Sequence, residues 1–447
     1  MIRNLWNDLD GTFFPESALD YMPIARLHEV QLQRLKAVVA LAYDRVPLFR
    51  ERLDAKGVTP VDLRRLEDVR ALPFSGKTDL RDTYPYGLFA TPMSEVVRLH
   101  ASSGTTGKPI VVGYTAADME VWKQVMMRTL YAAGFGRGDV VQNMYGYGLF
   151  TGGLGLHGGL EALGATVIPM SGGNSERQIM VMKDFGVTAV SCTPSYFIHL
   201  IEVAGRLGLD FRRDLKVRRG VVGAEPWTDP MRRYIESATG IKAYDIYGLS
   251  EIIGPGVAAE CACQDGLHVF EDHFLAEIVD PVTLDPVPEG EEGELVLTTL
   301  SKQAMPLIRY RTRDITAVET RPCGCGRSLR RIRRISRRSD DMFIVRGVNV
   351  YPSQVETALL KTEANLPHYQ IVLTRQSGLD RMEVRVEVTG EMLRDRLSEM
   401  EGLQRRFARS IEQITGLHAD VTLVQPGTIP RSEGKAKRLL DQRDAPV

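Results

Sequence analysis

Leu27, Leu32, Leu35, Val39 and Ala42 recur at mostly helical spacing through residues 26–46. The run stops at Val46-Pro47, because proline disfavours helix in the residue before it. Residues 1–90 therefore read as a helical lead-in. From about residue 90 to 255 the pattern changes to short β-rich runs alternating with helical stretches. The runs are Ala165-Thr-Val-Ile-Pro-Met170, Val187-Thr-Ala-Val-Ser-Cys192, Gly220-Val-Val-Gly223 and Ala243-Tyr-Asp-Ile-Tyr247. Some follow a glycine able to end a helix, and such alternation predicts α/β layers. The short charged stretch Ile335-Ser-Arg-Arg-Ser-Asp-Asp341 then marks a boundary. Beyond it Met382, Val384, Val386 and Val388 alternate with charged residues as a half-buried strand does, and Leu393, Leu397, Met400, Phe407, Ile411 and Ile414 repeat at three, four or seven. The pattern predicts a large layered α/β domain over 1–339 and a smaller α+β domain over 340–447.

Composition narrows the function. The chain has 447 residues, 43% apolar and 25% charged, enough for a sizeable core and against wholesale disorder. Lys plus Arg (56) nearly cancel Asp plus Glu (57), which leaves little net field for a polyanion and argues against nucleic acid as a partner. No apolar run approaches the roughly 18 residues of a membrane span, so no membrane contact and a cytoplasmic location are expected. Five cysteines are too few, and of the wrong parity, for a disulfide framework. Four of them form two Cys-x-Cys pairs, Cys261/Cys263 and Cys323/Cys325, a pattern that invites a metal.

The segment most suited to chemistry is Ser102, Ser103, Gly104, Thr105, Thr106, Gly107 and Lys108. Glycines let the backbone approach an anion, successive N–H groups form a concave donor array, and hydroxyls add donors to phosphate oxygens. A flexible surface turn is the plainer alternative. The loop is not the G-x-x-x-x-G-K-[ST] phosphate loop, because Pro109 stands where the magnesium-binding hydroxyl belongs. Gly153-Leu-Gly-Leu-His-Gly158 matches G-x-G-x-x-G, but the next β-like run lacks the acidic residue that binds a ribose diol, so these glycines read as close-packing or pocket-lining positions. Tyr247-Gly-Leu-Ser-Glu251 lies at a strand's carboxyl end, where ligands bind in open α/β sheets, and Glu251 is a carboxylate suited to Mg²⁺. In Tyr310-Arg-Thr-Arg-Asp314, Asp314 is able to accept both hydroxyls of a ribose. Taken singly, each of these segments reads equally well as a salt-bridged turn. Lys435, beside Gly434 in a cation-rich loop of the small domain, is a compact cation that a moving domain would carry to and from a phosphate; a solvated charged face is the bland reading.

Together, Ser102-Ser-Gly-Thr-Thr-Gly-Lys-Pro109, Tyr247-Gly-Leu-Ser-Glu251, Tyr310-Arg-Thr-Arg-Asp314, Arg338-Ser-Asp-Asp341 and Gly434-Lys435 resemble, in order and spacing, the adenylate-forming acyl-CoA synthetases. Tyr84-Pro-Tyr-Gly-Leu-Phe-Ala90, Tyr145-Gly-Tyr-Gly-Leu-Phe-Thr-Gly-Gly-Leu154, Ser171-Gly-Gly-Asn174 and Val345-Arg-Gly-Val-Asn-Val-Tyr-Pro-Ser353 resemble, more narrowly, the phenylacetate-CoA ligase family. The resemblance implies an acid-thiol ligase that uses ATP, Mg²⁺ and coenzyme A to convert an aromatic carboxylic acid into an acyl-adenylate and then a thioester, releasing pyrophosphate and AMP. It implies that the 102–108 loop holds phosphates, that Gly223, Ala224, Glu225, Pro226 and Asp245, Ile246, Tyr247 flank adenine, with Gly248 and Ser250 adjoining, and that Asp314 and Arg338 hold the ribose. It implies catalytic roles for Glu251, as magnesium ligand, and for Lys435, with Asp340 as the hinge of a mobile lid; Arg337 departs from the glycine common in the family. Tyr145, Phe150, Ile253, Gly254 and Pro255 would line the acid pocket, where Ile252-Ile253 and Gly158-Gly159 leave room for a hydroxy- or aminobenzoate. Cys261, His268, Cys323 and Cys325 resemble a structural zinc site found in some members, with Cys263 as competing ligand. Free coenzyme A or a carrier-protein thiol as acceptor, a homodimer, and a nucleotide-binding protein without turnover all stay open.

Overall fold

The computed structural model describes residues 15–102, 109–335, 337–363, 368–376, 379–388, 397–431 and 436–443. The helical spacing read over 26–46 corresponds to the first α-helix of the described lead-in. The lead-in comprises α1 (Ile24–Arg45), ending at Val46, α2 (Pro47–Lys56), with proline at its first position, and α3 (Lys77–Asp82). A hairpin of β1 (Arg98–Ala101) and β2 (Val111–Tyr114) follows, its neck tied by the Ser102 N–H donating to the Ile110 carbonyl at 2.9 Å.

The layered unit then runs α4 (Ala116–Ala132), β3 (Val140–Asn143), α5 (Thr151–Leu163), β4 (Thr166–Pro169), α6 (Ser175–Asp184), β5 (Ala189–Cys192), α7 (Pro194–Arg206), α8 (Phe211–Asp214), β6 (Arg219–Gly223), α9 (Asp229–Thr239), β7 (Lys242–Leu249), β8 (Gly254–Glu260) and β9 (Leu267–Val269). Helix starts follow local chemistry. Thr115 and Asp118 form a reciprocal capping box on α4, and Thr193 caps α7 ahead of Pro194. Next come β10 (Phe274–Val279), β11 (Gly293–Thr299), β12 (Tyr310–Thr316), β13 (Val318–Glu319), β14 (Arg331–Ile332) and β15 (Arg337–Arg338).

Among the described residues the main sheet has nine strands in the order β13-β14-β9-β8-β7-β6-β5-β3-β4. The segment β4-β3-β5-β6-β7 is parallel and β7 to β13 antiparallel. The chain leaves β3 for β4 on one side and returns to β5 on the other, so the strand order reverses there. That is the switch point where open α/β sheets bind ligands, at the carboxyl ends of the strands. A separate antiparallel sheet, β10-β11-β12-β15, has no counterpart in the sequence-based expectation.

The Gly153–Gly158 run lies inside α5, not between a strand and a helix. A Cβ on Gly155 would stand 2.4 Å from the Trp122 ring and one on Gly159 2.5 Å from Met126, so the helix is glycine-rich because α4 crosses it closely.

The small domain contains β16 (Phe343–Val345), β17 (Val348–Val350), α10 (Pro352–Thr362), β18 (Tyr369–Gln376), β19 (Leu379–Glu387), α11 (Leu397–Thr415), β20 (Asp420–Val424) and β21 (Leu439–Asp441). Its four-stranded sheet, β20-β19-β18-β21, buries Met382, Val384 and Val386 against Phe407 and Ile411 of α11 in a core of its own, as the two periodicities predict. Leu393 lies outside the described residues.

Candidate active site

The carboxyl ends of β6 and β7 carry the first group of predicted residues. A Cβ on Gly223 would sit 2.4 Å from the Ile246 carbonyl oxygen, and Ala224 follows at φ 68°, a left-handed conformation that a non-glycine residue adopts only where its surroundings impose it. Glu225 then accepts the Ser195 N–H at the start of α7 (2.7 Å) and, on its other oxygen, the Ala436 N–H of the small domain (2.8 Å). Pro226 leads into Trp227, whose ring is approached by the guanidinium groups of Arg232 (5.1 Å) and Arg334 (4.7 Å). On β7, burial pushes the Asp245 carboxyl up to about 7 although Arg334 lies 3.3 Å away. Ile246 is buried, and the chain bulges between Tyr247 and Gly248, where an added Cβ would meet the Gly254 carbonyl.

The second group converges on Asp314. Its carboxylate, 3% exposed, accepts the Tyr247 hydroxyl at 2.6 Å and Arg338 Nη1 at 2.8 Å, because β12 and β15 pair Asp314 with Arg338 in register. Burial lifts this carboxyl to about 6 against the pull of Arg338. Arg338 also donates through Nε to Asp340 at 2.9 Å, so one guanidinium joins the buried carboxylate to the junction between domains. Arg337 pairs with Glu292 of the large domain (2.9 Å) and covers the Tyr351 ring of the small one (5.3 Å).

Between these groups stands Glu251, buried, accepting the Tyr310 hydroxyl at 2.7 Å. Lys302 donates to the Glu251 carbonyl at 3.3 Å and lies 4.6 Å from the Tyr114 ring; burial brings its ammonium down to about 8. Ser250 Oγ lies 3.1 Å from Thr151 Oγ, which joins the turn after β7 to the start of α5.

The predicted acid-pocket residues lie on the same elements. Tyr145, buried beyond β3, donates its hydroxyl to the Cys192 carbonyl at 2.6 Å across the switch point. The Ile253 carbonyl accepts the Tyr114 hydroxyl (3.0 Å) and the Pro255 carbonyl the Trp122 indole (2.9 Å), while Gly254, at φ 100°, leaves no room for a Cβ beside Trp122. Phe150, 51% exposed at the start of α5, stands open instead of closing an apolar wall. Ser102 is tied to the hairpin neck, its hydroxyl accepting the Ile110 N–H at 3.3 Å. Ser103, Gly104, Thr105, Thr106, Gly107, Lys108 and Lys435 lie outside the described residues.

Lys302 and Tyr310 went unassigned in the sequence reading. Tyr310 belongs to a segment already singled out, whereas a lone lysine 51 residues from Glu251 carries no local signal. Between the domains lies a cleft of about 750 Å³ bordered by Glu225, Trp227, Arg338, Glu356, Tyr369 and Arg438.

The cysteine cluster forms at the antiparallel end of the main sheet. The ligand atoms of Cys261, His268, Cys323 and Cys325 all lie within 4.8 Å of one another, since β9 pairs with β14 and brings the 323–325 loop over His268. Cys261 and Cys323 Sγ atoms are 3.6 Å apart, and Cys325 Sγ lies 3.4 Å from His268 Nε2. Hydrogen bonding from Cys261 and His268 draws the Cys325 thiol far below the ordinary thiol range. Cys263 is exposed and outside the cluster.

Residues 29–302 match the family model of the AMP-binding enzymes, and residues 347–443 that of the AMP-binding enzyme C-terminal domain. The chain is 51% identical to a phenylacetate-coenzyme A ligase of Thermus thermophilus, over 95% of this chain and 98% of the other. It is 50% identical to the Escherichia coli enzyme of that name, over 94% and 96%. A 2-hydroxyisobutyryl-CoA ligase crystallised in its postadenylation state with 2-HIB-AMP superposes with a TM-score of 0.90, covering 97% of this chain and 92% of the other at 30% identity. The same ligase in its thioesterification state, with identical coverage, gives 0.70. Half-identity along nearly the whole length makes this chain a member of the phenylacetate-coenzyme A ligase family of AMP-binding enzymes.

Proposed function

We propose that this protein activates an aryl carboxylic acid with ATP and transfers the acyl group to coenzyme A. In the first step a carboxylate oxygen attacks the α-phosphorus, a P–O bond to the β-phosphate breaks, and pyrophosphate leaves. In the second the thiol gives up its proton, sulfur attacks the acyl carbon, and the C–O bond to AMP breaks. Asp314, with Tyr247 and Arg338 orienting it, accepts the ribose hydroxyls; Gly223, Ala224, Glu225, Pro226 and Asp245 to Tyr247 flank the adenine, with Gly248 and Ser250 adjoining. Glu251, fixed by Tyr310 and Lys302, would hold Mg²⁺, which when bound draws charge from the phosphates. The 102–108 loop supplies N–H and hydroxyl donors, and Lys435 neutralises charge developing on the phosphoryl oxygens. Tyr145, Ile253, Gly254 and Pro255 line the acid site, without Phe150, which stands exposed.

The observation that carries this reading is the 2.8 Å hydrogen bond from the Ala436 N–H to Glu225. The residue preceding Ala436 is the proposed catalytic lysine, and its neighbour is tied to the adenine loop. The higher similarity to the postadenylation state is consistent with this arrangement. The small domain, from residue 340, would turn about Asp340 to admit the thiol.

The cysteine cluster suits structural zinc. A tetrahedral ion with Zn–S near 2.3 Å sets sulfur atoms about 3.8 Å apart, close to the 3.6 Å between Cys261 and Cys323. Three sulfurs and one imidazole leave no open position for substrate.

The test is a carboxylate screen with pyrophosphate release and mass detection of the thioester. Aryl acids, phenylacetate among them, are expected to give both products with coenzyme A. Pyrophosphate without a coenzyme A thioester would point to a carrier-protein acceptor, and neither product from any acid would defeat the reading.

A further inference from the structure

His368 and Arg431 of the small domain meet on one carboxylate of the large domain. Glu202, on α7, accepts His368 Nε2 at 2.6 Å and lies 3.3 Å from Arg431 Nε and 3.4 Å from its Nη2. His199, one turn back on α7, places its Nδ1 3.6 Å from the same carboxylate. Arg431 is itself held on the small-domain side by a two-pronged contact with Glu387 (2.8 and 2.7 Å), which also accepts the Ile429 N–H at 2.6 Å. The result is a chain, Glu387 to Arg431 to Glu202 to His368, that begins and ends in the small domain and passes through a single side chain of the large one. Charge-assisted hydrogen bonds of this kind are about twice as strong as neutral ones. Burial works against the Glu202 charge, yet the neighbouring His199, His368 and Arg431 hold its carboxyl well below the usual range.

The position of this chain gives it consequence. In sequence Arg431 and Ala436 stand on either side of residues 432–435, which include Lys435, and α7, which bears Glu202, carries Ser195 in its first turn, whose N–H is bound by the same Glu225 that takes the Ala436 N–H. The orientation of the small domain is therefore fixed on both sides of that stretch by groups attached to one helix. None of the segments used above to infer nucleotide, acid or metal binding contains Glu202.

We propose that Glu202 is a positioning residue for the adenylation step: by gripping His368 and Arg431 it holds the small domain in the orientation that seats Ala436 on Glu225. This rests on the adenylate-forming function given above, in which the second step needs the small domain to leave. Losing the grip should therefore penalise the first half-reaction and spare, or speed, the second.

The experiment compares wild type with Glu202→Gln in three measurements. ATP–pyrophosphate exchange is expected to fall on the order of tenfold, as for the loss of a charged hydrogen-bond partner. Thioester formation from preformed acyl-adenylate and coenzyme A is expected to hold or rise. Amide hydrogen exchange should quicken at Ala436, while Ile429, anchored on Glu387, keeps its protection and reports that the small domain is still folded. Glu202→Asp, which keeps the charge, should recover part of the exchange activity. Equal losses in both half-reactions, or unchanged Ala436 protection in Glu202→Gln, would overturn the proposal. Should wild type catalyse no exchange with any aryl acid, the adenylation reading fails, and the Ala436 amide still decides whether Glu202 sets the domain orientation.

Discussion

Replacing Asp314 by asparagine tests the ribose assignment. The native carboxylate is buried, takes Tyr247 on one oxygen and Arg338 on the other, and retains lone pairs for two further donors. Asparagine keeps one acceptor oxygen and turns an amide N–H₂ toward a group that itself donates. At about 1.5–3 kcal/mol for a hydrogen bond to a charged group, losing one ribose contact raises the half-saturating ATP concentration roughly tenfold to a hundredfold. The apparent KM for the acid should barely move. Because burial places the Asp314 carboxyl near 6, wild type should also lose ATP affinity as pH falls through that value and the acceptor becomes a neutral acid. The sign for folding is opposite: a carboxyl raised above its ordinary range adds stability that is fully present at low pH and is lost as pH rises through about 6. Initial rates of ATP–pyrophosphate exchange, with ATP varied from pH 5 to 8, measure the functional effect. The reasoning fails if Asp314→Asn keeps wild-type ATP affinity, or if the acid limb near 6 persists in the variant.

Lys435→Ala should lower adenylation far more than thioester formation from preformed adenylate; equal losses in the two assays would remove the lysine from the first step. Elemental analysis should find about one zinc per chain, retained in Cys263→Ser, lost in Cys323→Ser, with chelation lowering the melting temperature; a metal-free chain of unchanged stability would end the zinc reading. Gly155→Val drives its Cβ to within 2.4 Å of Trp122 and should cost about 1–3 kcal/mol by overpacking. Gly158→Ala meets nothing within 4 Å and should gain about 0.5–1 kcal/mol through helix propensity. Denaturant titrations of both variants read the difference.

What the sequence made legible follows from the range of the forces involved. The β-rich runs at 187–192, 220–223 and 243–247 became β5 to β7 because strands buried on both faces need nearly continuous apolar side chains, and the run at 165–170 became β4, the partly exposed edge strand. The amphipathic helix of the small domain was equally plain, with Phe407 and Ile411 facing its sheet. Both signals lie within a few residues. The sheet β10-β11-β12-β15 was not anticipated, because its strands are brought together by long connections. Buried ion pairs were missed for the same reason: Arg128, fully enclosed, takes Asp20 at 2.7 Å and Asp272 at 3.0 Å, residues 108 and 144 positions away. Nothing periodic announces such a meeting. The cysteine cluster was readable because paired Cys-x-Cys motifs carry their chemistry locally, though only the fold separates Cys261 from Cys263.

The character of the contact between domains decides whether alternation is energetically feasible. An apolar face of about 800 Å² would hold the small domain by on the order of 20 kcal/mol of gross burial energy, too much for a ligand to reverse in each cycle. The contact here is of another kind. Leu360 is the small-domain member of an otherwise large-domain apolar cluster, and among the described residues the other ties named above are polar or cationic: Glu202 with His368 and Arg431, Glu225 with Ala436, Thr228 with Glu356 at 3.0 Å, Arg338 with Asp340, and Arg337 over the Tyr351 ring. Each exchanges a partner in the protein for one in water, so its net contribution is about 0.5–3 kcal/mol. Reversing a 99:1 preference needs about 5.5 kcal/mol of differential binding, the amount that acyl-adenylate formation and coenzyme A binding would have to supply together. A closed state held by a few replaceable hydrogen bonds is thus stable enough to organise the first step and weak enough to be left for the second.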